Sequence, residues 1–149
     1  MRIVAGVLKN RRIKSREGRE TRPTLERIKE AIFSIIGEKV ADAKFLDLYS
    51  GTGNVSFEAL SRGAKRAIMI EEDREALRII IENVNHLGME DKCRAYKNDV
   101  FRAIEILARK NEIFDIIFLD PPYKENISTK TIEKISEENL LERDGIIIS

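Results

Sequence analysis

Residues 114–123 read FDIIFLDPPY, and the first six of them, apolar or β-branched apart from Asp115, are typical of a buried strand. The run stops at Asp120. The two prolines that follow fix φ and bias the residue before them towards extended backbone, so Asp120 is held in a stiff segment. Because ligands of parallel α/β sheets bind at the carboxyl ends of the strands, the acid and the following Tyr123 suit a flat, hydrogen-bonding substrate such as a nucleobase. On the tetrapeptide alone, an ordinary Asp-Pro-Pro turn is the alternative.

Upstream and downstream of this strand, apolar runs of strand length alternate with stretches of helical spacing. The helical stretches cover residues 55–62, 75–87, 101–110 and 129–138. The strand-like runs centre near Leu46, Ile68, Ala95, Ile117 and Ile147. Strand-helix units of this size predict an α/β fold with a doubly wound, mostly parallel, Rossmann-like sheet.

The first 43 residues follow a different pattern. Two short strand-like runs, 2–7 and 11–14, predict a β-hairpin around residues 8–10. Apolar residues at helical spacing then predict a helix over residues 25–36, with Thr24 as its N-cap and Gly37 as its C-terminal stop. We expect one domain over residues 1–149, in which residues 1–22 form an arm and residues 23–149 the core.

Positive charge is concentrated in that arm. The net charge of the whole chain is +1, yet residues 1–22 carry +6 and the remainder carries −5. A basic arm on a mildly acidic body favours binding of a phosphate backbone, for which Arg11, Arg12 and Lys14 are the candidate contacts. A solvated basic hairpin is the alternative interpretation of the arm alone.

Composition excludes several classes of protein. Hydrophobic residues at 42% and charged residues at 36% are typical of a folded globular chain. No apolar run approaches the roughly 20 residues that span a bilayer, and the N-terminus has no leader pattern, so we expect a cytoplasmic protein. With one cysteine, Cys93, and one histidine, His86, neither an internal disulfide nor a Cys/His metal cluster is expected.

Residues 45–54, FLDLYSGTGN, predict a strand that enters a tight turn and then a helix. Gly51 and Gly53 allow that turn and let a ligand approach the backbone. We call residues 49–53, which also include Tyr49 and Ser50, the glycine loop, and we expect it to contact a cofactor.

Acidic residues follow the next two strands. Glu71 ends the second strand 18 residues after Gly53, where a carboxylate suits the two hydroxyls of a ribose. Asp99 and Val100 end the third strand, where a side-chain acceptor and a backbone N–H suit the edge of an adenine. These strand ends therefore predict a site for a nucleoside.

The acids also indicate which nucleoside cofactor is bound. A dinucleotide-binding loop has the pattern G-x-G-x-x-G/A, but Ser56 stands at the last position of that pattern. Asp47, four residues before Gly51, would repel a pyrophosphate but suits a ligand with an ammonium group. We therefore expect S-adenosylmethionine, and we disfavour a nicotinamide dehydrogenase.

Taken together, the motifs resemble a class I S-adenosylmethionine-dependent methyltransferase of the RsmD family, whose members methylate a guanine N2 of small-subunit (16S) ribosomal RNA. The similarity runs from residue 1 to about residue 123. The motifs that carry it are MRIVAG (1–6), TRPT (21–24), LDLYSGTG (46–53), EALSRGA (58–64) and FLDPPY (118–123). Tyr49 and Ser50 stand where many members have Phe-Ala, a departure that we do not expect to change the chemistry.

The resemblance implies roles for individual residues. Asp47 and the glycine loop would bind the methionine half of the cofactor, Glu71 its ribose and Asp99 its adenine. Arg22 and Thr24 match a segment near the family's active site. The tetrapeptide that matches the catalytic motif is Asp120, Pro121, Pro122 and Tyr123.

The target amine suggests how that tetrapeptide acts. If Asp120 and the Pro121 carbonyl accept the two N–H bonds of the amine, its lone pair is aimed at the methyl group, without a metal. Tyr123 would stack on a flipped base. The resemblance also implies a monomer that acts on ribosomal RNA or the small subunit. Because residues 145–149, GIIIS, suit the interior of a sheet, we expect the natural protein to continue. The resemblance implies that it continues into an antiparallel hairpin that completes the sheet.

Three other functions compete with this one. A DNA adenine-N6 methyltransferase uses a similar tetrapeptide but usually needs a target-recognition region. A protein-amide methyltransferase more typically begins the tetrapeptide with Asn, where this chain has Asp120. A non-catalytic RNA-binding factor for ribosome assembly is the alternative from another class, and failure to bind S-adenosylmethionine would favour it.

Overall fold

The structure is a computed structural model that describes residues 1–16, 22–122 and 126–149, with the side chains of residues 22–25 also outside the description. From residue 44 onwards, strands and helices alternate along the described chain. The strands are β1 (Lys44–Leu48), β2 (Arg66–Glu71), β3 (Cys93–Lys97), β4 (Phe114–Leu119) and β5 (Leu141–Ile148). The helices are α1 (Arg22–Ile36), followed by a short 3₁₀ helix (Gly37–Val40), α2 (Asn54–Ser61), α3 (Arg74–Leu87), α4 (Val100–Arg109) and α5 (Ile127–Glu137).

The strands form one parallel sheet in the order β3-β2-β1-β4-β5. The chain passes outwards from β1 to β3 and then returns to the other side of β1 for β4 and β5. Leu48, the last residue of β1, lies level with Ile70 on one side and Leu119 on the other. The order reverses between β1 and β4, and this is the switch point at which open α/β sheets bind ligands. The predicted doubly wound fold is confirmed.

Hydrophobic clusters cover both faces of the sheet. Because successive side chains of a strand point to opposite faces, Phe45 packs with α1, α2 and α3, whereas Leu46 packs with α4 and α5. Both residues are fully buried, as are most positions of β1 and β4. Near-continuous burial is expected of central parallel strands, which are covered on both faces. Asp47 lies on the same face as Phe45, so a carboxylate enters the cluster beneath α2.

The boundaries of the elements agree closely with the sequence pattern. The five predicted strand centres all fall within observed strands, and the four helices predicted after residue 44 begin and end within two residues of their observed limits. Helix α1 differs, because it begins at Arg22 and therefore includes Thr24, which is not its N-cap. Proline is favoured in the first turn of a helix, so Pro23 lets the helix begin earlier. Gly37 has φ +57° and ends α1 as predicted.

The hairpin predicted in the basic arm is present in reduced form. A single antiparallel bridge joins Arg2 to Arg12, and the N–H of Ile3 donates to the Arg11 carbonyl over 2.9 Å. Beyond this bridge, residues 1–16 form no β-strand. The arm is therefore folded back on itself without a long ladder of hydrogen bonds between its two halves.

Helix α2 explains why the ladder is short. The N–H groups of residues 4 and 5 donate to the Glu58 carboxylate over 2.9 and 3.0 Å, and those of residues 7 and 8 donate to Ser61 over 2.9 Å each. Between them, Gly6 approaches so closely that an added Cβ would lie 1.9 Å from the Ser61 carbonyl oxygen. Helix α2 thus takes the backbone donors that a longer ladder would need.

Candidate active site

Asp47, near the end of β1, is the most deeply buried acid at the switch point. Its side chain is 1% exposed, and its Oδ2 accepts a 2.6 Å hydrogen bond from the Ser56 hydroxyl in α2. Among the described residues, its Oδ1 atom has no hydrogen-bond partner. Ser56 is the residue that breaks the dinucleotide-binding pattern. With a glycine or alanine at this position, Oδ2 would also lack this hydrogen bond.

The electrostatic environment of Asp47 favours its protonated form. Burial is the main cause and raises the pKa of this carboxyl to about 7, although the hydrogen bond from Ser56 opposes the shift. The charges of Glu71 and Asp120 raise the pKa further, so these acids lie within electrostatic reach of Asp47. A bound cationic group would oppose this shift, because it would favour the ionised form of Asp47.

This environment predicts how the stability of the protein depends on pH. Folded Asp47 keeps its proton between about pH 4 and pH 7, whereas the unfolded chain loses it, so the free energy of unfolding should fall as pH rises through this window. A rise in pKa from 3.8 to about 7 corresponds to roughly 4 kcal/mol at alkaline pH. Asp47→Asn should remove this loss and be more stable than wild type at pH 8, as measured by urea unfolding across pH. The exposed Asp144→Asn is the control, and an equal pH slope in both variants would contradict the prediction.

Glu71 ends β2 and lies against the glycine loop. Its Oε1 accepts the N–H of Gly51 over 2.7 Å, and its Oε2 accepts the N–H of Asp73 over 2.8 Å. Each carboxylate oxygen has a second lone pair, so both oxygens remain able to accept a hydroxyl group. The structure therefore brings together the acid and the loop that the sequence placed 20 residues apart.

The glycine loop has an unusual backbone. Tyr49 has φ +64°, a left-handed conformation uncommon outside glycine, and its hydroxyl lies 2.8 Å from the Thr131 Oγ1 atom in α5. Ser50 donates to the Asp47 carbonyl over 2.7 Å. At Gly53, with φ +87°, an added Cβ would lie 2.6 Å from the ring of the buried Phe57. The loop is thus closely packed beneath and open above, where Gly51 is exposed.

Asp99 and Val100 lie at the carboxyl end of β3. Asp99 caps α4, since its Oδ2 accepts the N–H of Arg102 over 3.0 Å. Val100 is the first residue of α4, where backbone N–H groups have no partner within the helix. Asp99 also contributes to a raised pKa of the Tyr49 hydroxyl, for which burial is the main cause. An acceptor and a backbone donor therefore lie side by side near the glycine loop.

Asp120 follows β4 immediately, next to a fully buried Leu119. Its side chain is exposed, Pro121 is half-buried and Pro122 is exposed. Leu48 at the end of β1 and Leu119 at the end of β4 are register partners. Asp120 is the next residue after Leu119 and therefore lies beside the end of β1. Tyr123, the last residue of the tetrapeptide, lies outside the described residues.

Two cations of the basic arm are bonded to helix α3, which the sequence did not suggest. Arg11 donates to the His86 carbonyl over 3.0 Å, and Lys14 pairs with Glu82 over 2.9 Å, both in α3. Arg12 is exposed. The contacts of Arg11 and Lys14 arise because the arm runs along α3, which no local sequence pattern reveals. The side chains of the two remaining candidates lie outside the described residues, and these are Arg22 and Thr24.

Three buried polar residues near the site were missed from the sequence: Lys29, Asn83 and Thr131. Lys29 and Asn83 occupy the buried side of α1 and α3, where the helical pattern predicts apolar residues. A polar residue at a predicted core position was the available signal. Their contacts are long-range in sequence, so their partners could not be deduced.

Two absences concern the described residues alone. Within residues 1–16, 22–122 and 126–149, no three or more His, Cys, Asp or Glu side chains are grouped as metal ligands would be. None of the helices in these ranges is both long enough and apolar enough to cross a membrane.

The donors and acceptors at the switch point fit S-adenosylmethionine. An ammonium group would complete the hydrogen bonding of Asp47 Oδ1, which is buried and otherwise lacks a partner among the described residues. A pyrophosphate would instead meet the charges of Asp47, Glu71 and Asp120. The residues present therefore favour a cationic nucleoside over a dinucleotide.

The fold and the arrangement of this site define a class I, Rossmann-like methyltransferase. The solved structure "Putative methyltransferase yhhF from Escherichia coli" superimposes with a TM-score of 0.86 at 31% sequence identity, over 99% of this chain and 78% of that one.

The sequence profile of the family described as "Conserved hypothetical protein 95" matches residues 1–149, and the chain belongs to this family. "Putative rRNA methyltransferase YlbH" of Bacillus subtilis (strain 168) is 38% identical over 149 residues, which are 100% of this chain and 81% of the relative. "Ribosomal RNA small subunit methyltransferase D" of Escherichia coli (strain K12) is 30% identical over 147 residues, which are 99% of this chain and 72% of the relative. The resemblance to the RsmD family predicted from the sequence is confirmed.

Proposed function

We propose that this protein transfers the methyl group of S-adenosylmethionine to the exocyclic N2 amine of a guanine in small-subunit ribosomal RNA. The observation that carries the proposal is the buried Asp47 carboxylate, which has an unbonded oxygen among the described residues and lies within electrostatic reach of Glu71 and Asp120. Family members named as ribosomal RNA methyltransferases support the substrate class.

The cofactor would be held by groups from three strand ends. Asp47 Oδ1 would accept the ammonium group, Glu71 the ribose hydroxyls, and Asp99 with the Val100 N–H the adenine edge. The exposed backbone of the glycine loop would lie against the methionine half. When bound, S-adenosylmethionine supplies a methyl group on a sulfonium cation, which makes the methyl carbon electrophilic.

The chain's own contribution to the reaction is orientation of the amine. The N2 lone pair of guanine is conjugated with the ring, so the amine is a weak nucleophile. Acceptance of its two N–H bonds by the Asp120 carboxylate and the Pro121 carbonyl would fix the nitrogen and let it pyramidalise. The amine loses one proton on methylation, and the Asp120 carboxylate would be the acceptor in contact with it. Pro122 would keep the segment stiff, and Tyr123 would stack on the base.

The basic arm would hold RNA phosphates while the pocket samples a base. Arg12 is exposed and suited to such a contact, whereas Arg11 and Lys14 would exchange or share their present partners in α3. Arg22 and Thr24 would lie on the RNA path close to the catalytic segment. We expect the protein to act in the cytoplasm as a monomer.

The proposed function is tested by transfer of a labelled methyl group from S-adenosylmethionine to unmodified small ribosomal subunits and to naked 16S ribosomal RNA, with DNA as a parallel substrate. Nucleoside analysis should find the label in N2-methylguanosine. Label in N6-methyladenine of DNA would instead support the DNA enzyme. Intact cofactor binding without any label would support a non-catalytic assembly factor.

A further inference from the structure

Two buried side chains connect the glycine loop to the basic arm. Asn83 in α3 donates to the Thr52 carbonyl over 3.3 Å, and Lys29 in α1 donates to the Asn54 Oδ1 atom over 3.0 Å. Thr52 and Asn54 are the residues on either side of Gly53. The exposed fractions of Asn83 and Lys29 are only 2% and 1%. The C-terminal end of the glycine loop is therefore bonded to the protein interior on both sides of Gly53.

The remaining hydrogen bonds of Asn83 go to the arm. Its Oδ1 accepts the N–H of Lys14 over 2.8 Å, and its Nδ2 donates to the Lys14 carbonyl over 2.9 Å. This amide thus pairs with the arm backbone as a neighbouring strand would. Both of its N–H bonds are in use, one towards the arm and one towards Thr52 in the loop.

Lys29 likewise donates hydrogen bonds both to the arm and to the residue that follows the glycine loop. Its ammonium group donates to the Arg2 carbonyl over 2.6 Å and contacts Glu58 Oε1 over 3.0 Å, besides the bond to Asn54. An ammonium group has three donors, so all of them are used. Glu58 in turn accepts the arm N–H groups of Val4 and Ala5.

We propose that Asn83 and Lys29 are positioning residues that couple the glycine loop to the basic arm, so that cofactor and RNA strengthen each other's binding. The inference rests on the proposed function, in which the loop binds cofactor and the arm binds RNA. A ligand that orders the loop fixes Thr52 and Asn54, hence the buried side chains bonded to them, and so lowers the entropy cost of ordering the arm. Thermodynamic linkage requires the same coupling in the opposite direction.

The coupling is measured as the dissociation constant of S-adenosylhomocysteine with and without saturating unmodified 16S ribosomal RNA. RNA should tighten binding about fivefold or more in wild type, within the usual range of coupling between sites. Asn54→Ala removes only the bond from Lys29 to the flank of the loop, and Asn83→Leu removes the other connection. In both variants, we expect RNA to change the dissociation constant less than twofold. Asn85→Ala, an exposed change on the same helix as Asn83, should retain the wild-type ratio.

Amide hydrogen exchange provides a second measurement that does not require RNA. Binding of S-adenosylhomocysteine should slow exchange at residues 3–5 and 14 of the arm at least about threefold in wild type. In Asn54→Ala the effect should be lost at residues 3–5 but retained at residue 14, whose backbone is bonded to Asn83. Asn54→Ala is the primary variant, because Asn83→Leu also leaves the backbone of Lys14 without partners.

The possible outcomes separate the coupling from the proposed function. If wild type binds both ligands and RNA leaves the dissociation constant unchanged, the coupling is overturned and the function stands. If RNA changes the dissociation constant of S-adenosylhomocysteine as much in Asn54→Ala and Asn83→Leu as in wild type, Lys29 and Asn83 do not carry the coupling. A purely structural role would lower their thermal midpoints without altering the ratio. If wild type binds cofactor but neither naked 16S ribosomal RNA nor small ribosomal subunits, the proposed function and the coupling both fall.

Discussion

Asp120→Ala is expected to reduce methyl transfer at least about 1,000-fold, because the amine would lose the group that orients it and accepts its proton. The residues proposed to hold the cofactor come from β1, β2 and β3, whereas Asp120 follows β4. The dissociation constant of S-adenosylhomocysteine should therefore change less than about threefold. Single-turnover transfer to small ribosomal subunits measures the chemical step, and calorimetric titration measures cofactor binding.

The control for Asp120→Ala is Asp91→Ala, which removes an exposed carboxylate in the turn before β3. This variant should transfer methyl groups at the wild-type rate. If Asp120→Ala retains transfer within tenfold of wild type, Asp120 does not orient the amine. Simultaneous loss of transfer and cofactor binding would instead mean that Asp120 supports the cofactor site.

Glu58→Ala is expected to lower the free energy of unfolding by about 3–5 kcal/mol, the usual effect of breaking a buried ion pair from one side. Glu58 is fully buried and accepts hydrogen bonds from the N–H groups of Val4 and Ala5, from Arg62 and from Lys29. Its removal would leave the buried Lys29 ammonium without its ion-pair partner and would remove the bonds that join residues 4 and 5 of the arm to α2. Urea unfolding monitored by circular dichroism measures the loss.

The two partners of this pair respond differently to burial. Burial lowers the pKa of Lys29, and Glu58 opposes that shift. For Glu58, burial alone would raise the pKa, but the hydrogen bonds from Val4, Arg62 and Lys29 hold it below its usual value. Because every donor of Lys29 is bonded and Glu58 accepts four donors, we take both groups to be charged at neutral pH.

Two variants complete the test of Glu58. Glu75→Ala removes an exposed carboxylate that pairs with Arg78 on the surface of α3, and it should leave the urea midpoint nearly unchanged. The double variant Lys29→Met with Glu58→Leu should recover part of the stability, since no unpaired charge remains buried. Equal midpoints for Glu58→Ala and Glu75→Ala would show that the buried pair does not stabilise the fold.

Much of the candidate site was predictable because the fold is built from local patterns. The apolar run of β4 ends at Asp120 and that of β2 ends at Glu71, and parallel strands bring their carboxyl ends to one edge. Two acids far apart in the chain could therefore be expected in one site without a structure. The close agreement of the predicted helices has the same origin, since helical periodicity is a local property.

The contacts of these residues were not predictable. Ser56 was recognised only as a departure from the dinucleotide-binding pattern, but it is the hydrogen-bond donor to Asp47. Part of the hairpin expected from the two short runs of the arm is replaced by bonds to Glu58 and Ser61. Such contacts depend on which helix face lies against the arm, and that is decided by packing over long sequence separations.

The sequence by itself determined the order of strands and helices, the acids at the strand ends and the concentration of positive charge in the arm. Each of these is carried by neighbouring residues, through periodicity, turn chemistry or composition. Only the tertiary structure decided that Asp47 is buried with one oxygen unbonded among the described residues, and that Lys29 and Asn83 connect the arm to the glycine loop. Burial and side-chain hydrogen bonds arise when distant elements pack together, and so they are properties of the folded chain.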